Sequence, residues 1–325
     1  MSDRLIRAIA ADARVRVVGV NITQSINEAY RRHRLSAVAT AALGRAMSAS
    51  LLLASNMKQP QARVNIRVAG DGGLGLVYAD AGFDGTVRGF VSNPHFELPT
   101  PTDGNQDVGK AIGAAGLLKV LRDVGYGEPY SSTVELISGN IADDVAWFLA
   151  SSEQTYSKLV LTEVIDHEAI AKAEQQSEIA DAPVKFAAGL LLQIMPKAAL
   201  RAAKTSNFSQ ADLLAQLEAK SDIANFNDLL TQGKVIEEVM TDLFADLGIE
   251  ILPMSKDVRF HCRCTAERML AAMKMFGEED LRAMIADDKG AEATCHFCSE
   301  VYRATTEQLN DLLKELQLEA AAQKA

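Results

Sequence analysis

Cysteine is missing from the first 261 residues of this 325-residue chain. The four that it has fall in two short clusters, Phe260-His261-Cys262-Arg263-Cys264 and Thr294-Cys295-His296-Phe297-Cys298. Two structural disulfides would suit a secreted chain, but Met1-Ser2-Asp3-Arg4 opens no apolar signal core. Excess basic charge is also lacking: the net charge is −10 and the pI about 5.1. That opposes non-specific binding to nucleic acid or to an anionic membrane. The most apolar stretch, Leu35 to Met57, is broken by Arg45, and its uncharged halves are too short to span a bilayer. We read it as a buried helix and expect a cytoplasmic protein. There is no P-loop for ATP and no H-E-x-x-H of a zinc hydrolase.

What is present is a thiol pattern, C-x-C and then C-x-x-C. Two close pairs brought together by a turn or hairpin can offer four sulfurs to one ion, and zinc prefers such a tetrahedral, sulfur-rich shell. The expected ligands are Cys262, Cys264, Cys295 and Cys298. His261 and His296 flank them and could each replace a neighbour. Four thiolates close the shell, which disfavours a Lewis-acid role, so no catalytic residue is assigned and no enzyme is expected. A nucleic-acid-binding zinc module fits poorly, with eight Lys and Arg against nine Asp and Glu between Lys256 and Arg303. A thiol oxidoreductase would place its C-x-x-C at a helix N-terminus near a βαβ pattern. Here an acidic loop precedes it.

The first part of the chain reads as an α+β domain. Strands are expected at 15–20, 64–68, 76–79, 86–91, 117–121, 133–137 and 158–164, from alternation and β-branched content. Helices are expected at 24–30, 35–57 and 141–152, the last with Asp143 and Asp144 in its first turn. Pro94 to Gly109 reads as a loop, and Ala187 to Met195 as an apolar run ending at Pro196. Gly70-Asp71-Gly72-Gly73-Leu74-Gly75 fits G-x-G-x-x-G, but a strand follows it where a dinucleotide site needs a helix. Its glycines are expected to serve hairpin turns with positive φ.

The division expected is a core domain over 1–197, a helical linker over 198–257 and a small zinc-binding domain over 258–325. The linker shows no strand signal. Within it Ile236, Val239, Met240, Leu243, Phe244 and Leu247 form an apolar stripe at helical spacing. That pattern fits an ordinary helical subdomain, or an amphipathic segment whose apolar face can be covered or released. Val301-Tyr302 should close a hairpin, and Thr306 to Ala325 should form a terminal helix with a frayed tail.

The cysteine clusters with Glu267-Arg268 and Tyr302 resemble the redox-regulated 33 kDa chaperonin family of heat-shock holdases. Leu43-Gly44-Arg45, Gly70-Asp71-Gly72, Arg88-Gly89, Ser152-Glu153-Gln154 and Leu192-Gln193-Ile194-Met195-Pro196 match in order and spacing. Two departures are Ala304, where the family often has an aromatic, and the length beyond Gln308. The resemblance implies an ATP-independent chaperone, silent while reduced and zinc-bound. It implies activation by disulfides Cys262–Cys264 and Cys295–Cys298 with release of the metal. It implies unfolding client proteins as partners and a homodimer when oxidised; the stripe Ile236, Val239, Met240, Leu243 and Phe244, read from its spacing, is the candidate client and linker surface. The alternative is a zinc-binding regulatory protein with an unknown protein partner.

Overall fold

A computed structural model describes residues 2–99, 106–195, 213, 215–217, 220, 225–286 and 290–322. The expected boundary at Pro196 and Lys197 lies outside the described residues. The chain forms two compact units, Met1–His261 and Cys262–Ala325.

The first unit opens with the hairpin β1 (Arg4–Ala10) and β2 (Val15–Asn21). Helices α1 (Thr23–His33) and α2 (Ala37–Ala54) follow. Then come β3 (Arg63–Ala69), β4 (Leu76–Gly82), β5 (Thr86–Val91), the short α3 (Val108–Ile112), β6 (Leu117–Asp123) and β7 (Tyr130–Glu135). Next are α4 (Ile141–Glu153), β8 (Ser157–Ile165), α5 (His167–Gln175) and β9 (Val184–Ile194). Helices α6 (Phe226–Thr231) and α7 (Ile236–Phe244) precede three two-residue strands, β10 (Glu250–Ile251), β11 (Lys256–Asp257) and β12 (Arg259–Phe260).

These strands make two sheets. The first runs β10-β1-β2-β9-β8, with β11 also on β1, and the second β12-β5-β4-β3-β6-β7. Every pairing is antiparallel except β12 on β5. Helix α2 lies between the sheets, against β2, β8 and β9 of one and β3, β4 and β5 of the other. That position explains its composition: a helix apolar on all sides is one buried on all sides. It is long and apolar enough to cross a membrane, yet it is buried within this fold. Its one charge is matched, since Arg45 Nη2 and Nε donate to Glu163 of β8 at 2.7 and 3.0 Å. A buried charge survives only with such a partner.

Strand β9 carries the apolar run that periodicity could not assign. Ala187 and Leu191 face the α2 side, whereas Ala188, Leu190, Leu192 and Ile194 face a second cluster on the outer side of the sheet. A strand covered on both faces loses its alternation. The loop expected over 94–109 gives way to α3 at its end. The six-residue glycine motif joins β3 to β4 as expected, but only Gly75 within it has positive φ (+66°). Gly70 and Gly72 serve close approach instead, for a Cβ there would lie 2.3 Å from the Ile112 and Ala111 carbonyl oxygens. The expectation of no strand in the 198–257 segment fails at β10 and β11, whose two-residue ladders carry too little sequence to register as a pattern.

In the second unit α8 (Ala266–Met273) and α9 (Gly277–Ala286) lead to the hairpin β13 (Ala291–Thr294) and β14 (Val301–Ala304), then to α10 (Thr306–Ala322). Met273, Leu281, Ala304, Leu309 and Leu312 form its buried core. Ala304 is 2% exposed there.

Candidate metal centre

Cys262 and Cys264 stand on the extended link before α8. Thr265 begins that helix, its hydroxyl accepting the Arg268 amide at 3.1 Å, a cap favoured in this position. The Arg268 guanidinium reaches back to the Arg263 carbonyl at 2.9 Å, fixing the turn of chain between the two thiols.

Cys295 and Cys298 stand in the loop of the β13–β14 hairpin, whose register pairs Thr294 with Val301 and Ala293 with Tyr302. The Cys295 amide donates to the Glu300 carbonyl at 2.9 Å. The amides of Cys298 and Ser299 both turn back to the Cys295 carbonyl, at 3.3 and 2.8 Å. Ser299 takes a left-handed φ of +55° to complete the turn. This tight loop brings two thiols three residues apart to one side.

The two loops meet sulfur to sulfur. Cys262 Sγ lies 3.7 Å from Cys295 Sγ, and Cys264 Sγ 3.3 Å from Cys298 Sγ. All four sulfurs lie within 4.8 Å of one another. Those separations exceed a disulfide bond of about 2.05 Å, and all four cysteines are free thiols. A tetrahedral ion with sulfur bonds of about 2.3 Å needs ligands about 3.8 Å apart. The cluster fits that cage with small adjustments. His261 and His296 are exposed, and neither belongs to the cluster.

Electrostatics favour the same chemistry. Burial pushes the Cys298 thiol well up, and the neighbouring sulfurs of Cys264, Cys295 and Cys262 push further in that direction. Burial likewise raises Cys295, against the opposing pull of the Phe297 amide. Cys295 and Cys298 therefore resist ionising unless a cation sits beside them. Tyr302 on β14 donates its hydroxyl to Cys264 Sγ at 3.0 Å, and this bond raises the phenol's own pKa. The expected hairpin at Val301-Tyr302 forms, but its spacing alone does not assign the Tyr302 hydroxyl to a sulfur. Strand alternation from the hairpin loop could have placed it beside the thiols.

A model of the Hsp33 protein family matches residues 3–305. The chain belongs to the Hsp33 family. A 33 kDa chaperonin of a Cyanothece species is 51% identical over 321 residues, covering 98% of this chain and 99% of that protein. One of Trichodesmium erythraeum is 47% identical, covering 98% and 95%. The crystal structure of the Hsp33 homologue of Thermotoga maritima, a 33 kDa chaperonin, superposes with a TM-score of 0.79. It is 28% identical and covers 97% of this chain and 99% of that one. The Hsp33 match takes in both cysteine pairs and Tyr302, and it ends one residue before α10 begins.

Proposed function

We propose that this chain is an ATP-independent holdase chaperone, switched on by oxidation of its four cysteines. The observation that carries the reading is a four-thiol cluster set in a unit with a very small apolar core. Its relatives carry the name chaperonin. Cys262, Cys264, Cys295 and Cys298 would hold one zinc, which when bound keeps the sulfurs as thiolates, the form that oxidants attack.

The chain's own residues do the rest. The second unit, residues 262–325, is of a size at which an apolar core alone rarely supplies more than about 3–5 kcal/mol. Metal binding in small zinc modules contributes on the order of 10 kcal/mol to folding. On oxidation Cys262 pairs with Cys264 and Cys295 with Cys298. Each pair of thiolates would give two electrons to a peroxide and form one S–S bond, while the peroxide takes two protons from solvent and leaves as two waters. No thiolate then remains to bind metal, and the unit loses its main source of stability.

In the proposed division into core, linker and zinc-binding domain, the linker answers this loss. Ile236, Val239, Met240, Leu243 and Phe244 on α7 are buried against Ile6, Ala8, Val17, Leu190 and Leu192 of the first sheet. Freed, that stripe and the sheet face beneath it offer apolar surface to unfolding clients. The oxidised form acts as a homodimer in the cytoplasm.

The test is suppression of client aggregation, followed by light scattering, with zinc release followed by a chromogenic chelator. Peroxide with chelator should turn suppression on, and thiol reductant with zinc should turn it off. Zinc release with no change in aggregation would instead favour a regulatory zinc-binding protein.

A further inference from the structure

Both sheets of the first unit end in an edge strand covered by one short piece of chain. Residues 250–261 run along β1 as β10 and β11, pass the turn between β4 and β5, and pair with β5 as β12. The attachment is mainly backbone. The Leu252 amide donates to the Arg7 carbonyl at 2.8 Å, and Val258 to Asp3 at 3.0 Å. Arg259 donates to Gly85 at 3.1 Å, and His261 to Val87 at 2.9 Å. Gly85, with φ +84°, lies so close that a Cβ would stand 2.1 Å from the Asp257 carbonyl oxygen. The turn is shaped to receive main chain.

Side chains add to this: the Lys256 ammonium donates to the Phe83 carbonyl and lies over its ring, and Arg4 donates to Ser255 Oγ at 3.1 Å. Val258 enters the core and Phe260 packs at its margin, while Met254 is 60% exposed. Asp257 pairs in register with Arg4. The three ladders of this strap are each two residues long. The strap continues directly into Cys262, the first residue of the second unit. An edge strand offers its row of amides and carbonyls to any extended chain once its cover leaves.

We infer that, once the strap 250–261 leaves, the edges of β1 and β5 are strand-addition sites for extended segments of unfolding polypeptides. The inference rests on the holdase reading and specifies how the client is held. The present occupant shows what the edges recognise: extended backbone hydrogen bonds, with Val258 entering the core and Phe260 and Ile251 packing at its margins. Backbone recognition tolerates many sequences, which is what a holdase needs.

The test uses the full-length oxidised chain and fluorescent, reduced and carboxymethylated lysozyme as an unfolded probe. A peptide of residues 249–261 should displace the probe. The same peptide N-methylated at its Leu252, Val258, Arg259 and His261 amides should bind more weakly by about tenfold or more, since it loses four backbone donors. Equal potency of the two peptides, or displacement by neither while the probe binds, overturns the inference and leaves the holdase reading standing. A peptide that splits a dimer without displacing the probe assigns the edges to a second copy and also overturns it. No binding of the probe at all removes the holdase reading and this inference together. A second measurement needs no client: Arg259→Pro deletes the amide that donates to Gly85. In the reduced, zinc-loaded variant, hydrogen exchange in β5 should quicken and the unmodified peptide should bind without oxidation. Exchange and peptide binding at the wild-type level would also overturn the inference.

Discussion

The Tyr302 hydroxyl donates a hydrogen bond of 3.0 Å to Cys264 Sγ, from the strand that follows the C-x-x-C loop. A hydroxyl aimed at a sulfur favours its thiolate and so favours metal binding. Partners of this kind, one step removed from the metal, are worth about 10–100-fold in affinity. Tyr302→Phe keeps the ring and should lower zinc affinity by about that factor, read by chelator competition. It should also speed zinc release under peroxide. An unchanged affinity would show that the hydroxyl does not support the thiolate.

Cys264 is 3.3 Å from Cys298, at the centre of the thiol cluster. Cys264→Ser replaces a soft thiolate with a hydroxyl that stays protonated at neutral pH. Zinc content by elemental analysis should fall well below one per chain, and the second unit should lose its protection from proteolysis. Full occupancy in the variant would remove Cys264 from the ligand set.

Leu243 and Phe244 are 3% and 0% exposed beneath α7. Truncating such side chains to Ala costs about 2–5 kcal/mol each. The double variant Leu243→Ala, Phe244→Ala should loosen α7 from the sheet while zinc stays bound. It should then bind more of an apolar dye and suppress client aggregation without oxidation. Gly19→Val attacks the same contact from below, since a Cβ at Gly19 would come 2.5 Å from Met240 Sδ. If both variants retain zinc and stay inactive when reduced, α7 is an ordinary part of the fold and not the latch.

Lys256 of the strap has its pKa lowered from 10.5 to about 8, chiefly by burial and next by the charge of Arg7. Its ammonium donates to the Phe83 carbonyl. The folded form therefore binds this proton less tightly than the unfolded chain does. Below about pH 8 both states are protonated, and the fold carries the whole cost of the buried charge. As the pH rises from about 8 toward 10.5, the unfolded state holds more protons and the fold gains stability. Lys256→Met should be more stable than wild type at pH 7, and the two should converge at alkaline pH. Urea midpoints across this range decide it; a constant offset would mean that Lys256 does not titrate as its surroundings imply.

The two units should also part company on chelation. The first has its own double-layered core and no cysteine before His261. It should keep a cooperative thermal transition in chelator, while the second unit loses its fixed structure. Loss of every cooperative transition would mean one metal-dependent body.

The sequence alone determined what depends on neighbours along the chain. The thiol pairs, the acidic first turn of α4 and the alternation of β3 are local, because their physics lies within a few residues. The helical spacing from Ile236 to Phe244 was equally plain. What covers that stripe was not, because the outer face of the first sheet is assembled from β1, β2 and β9, far apart in sequence. The same holds for Glu163 beneath Arg45, and for β9, whose second buried face erases the period that marks a strand. It holds most for residues 250–261. Two-residue ladders contain no pattern to read, and only the folded edges of β1 and β5 make them strands. Tertiary structure decided these points because pairing partners are chosen by closure of the whole fold, after each segment has settled its own local preference.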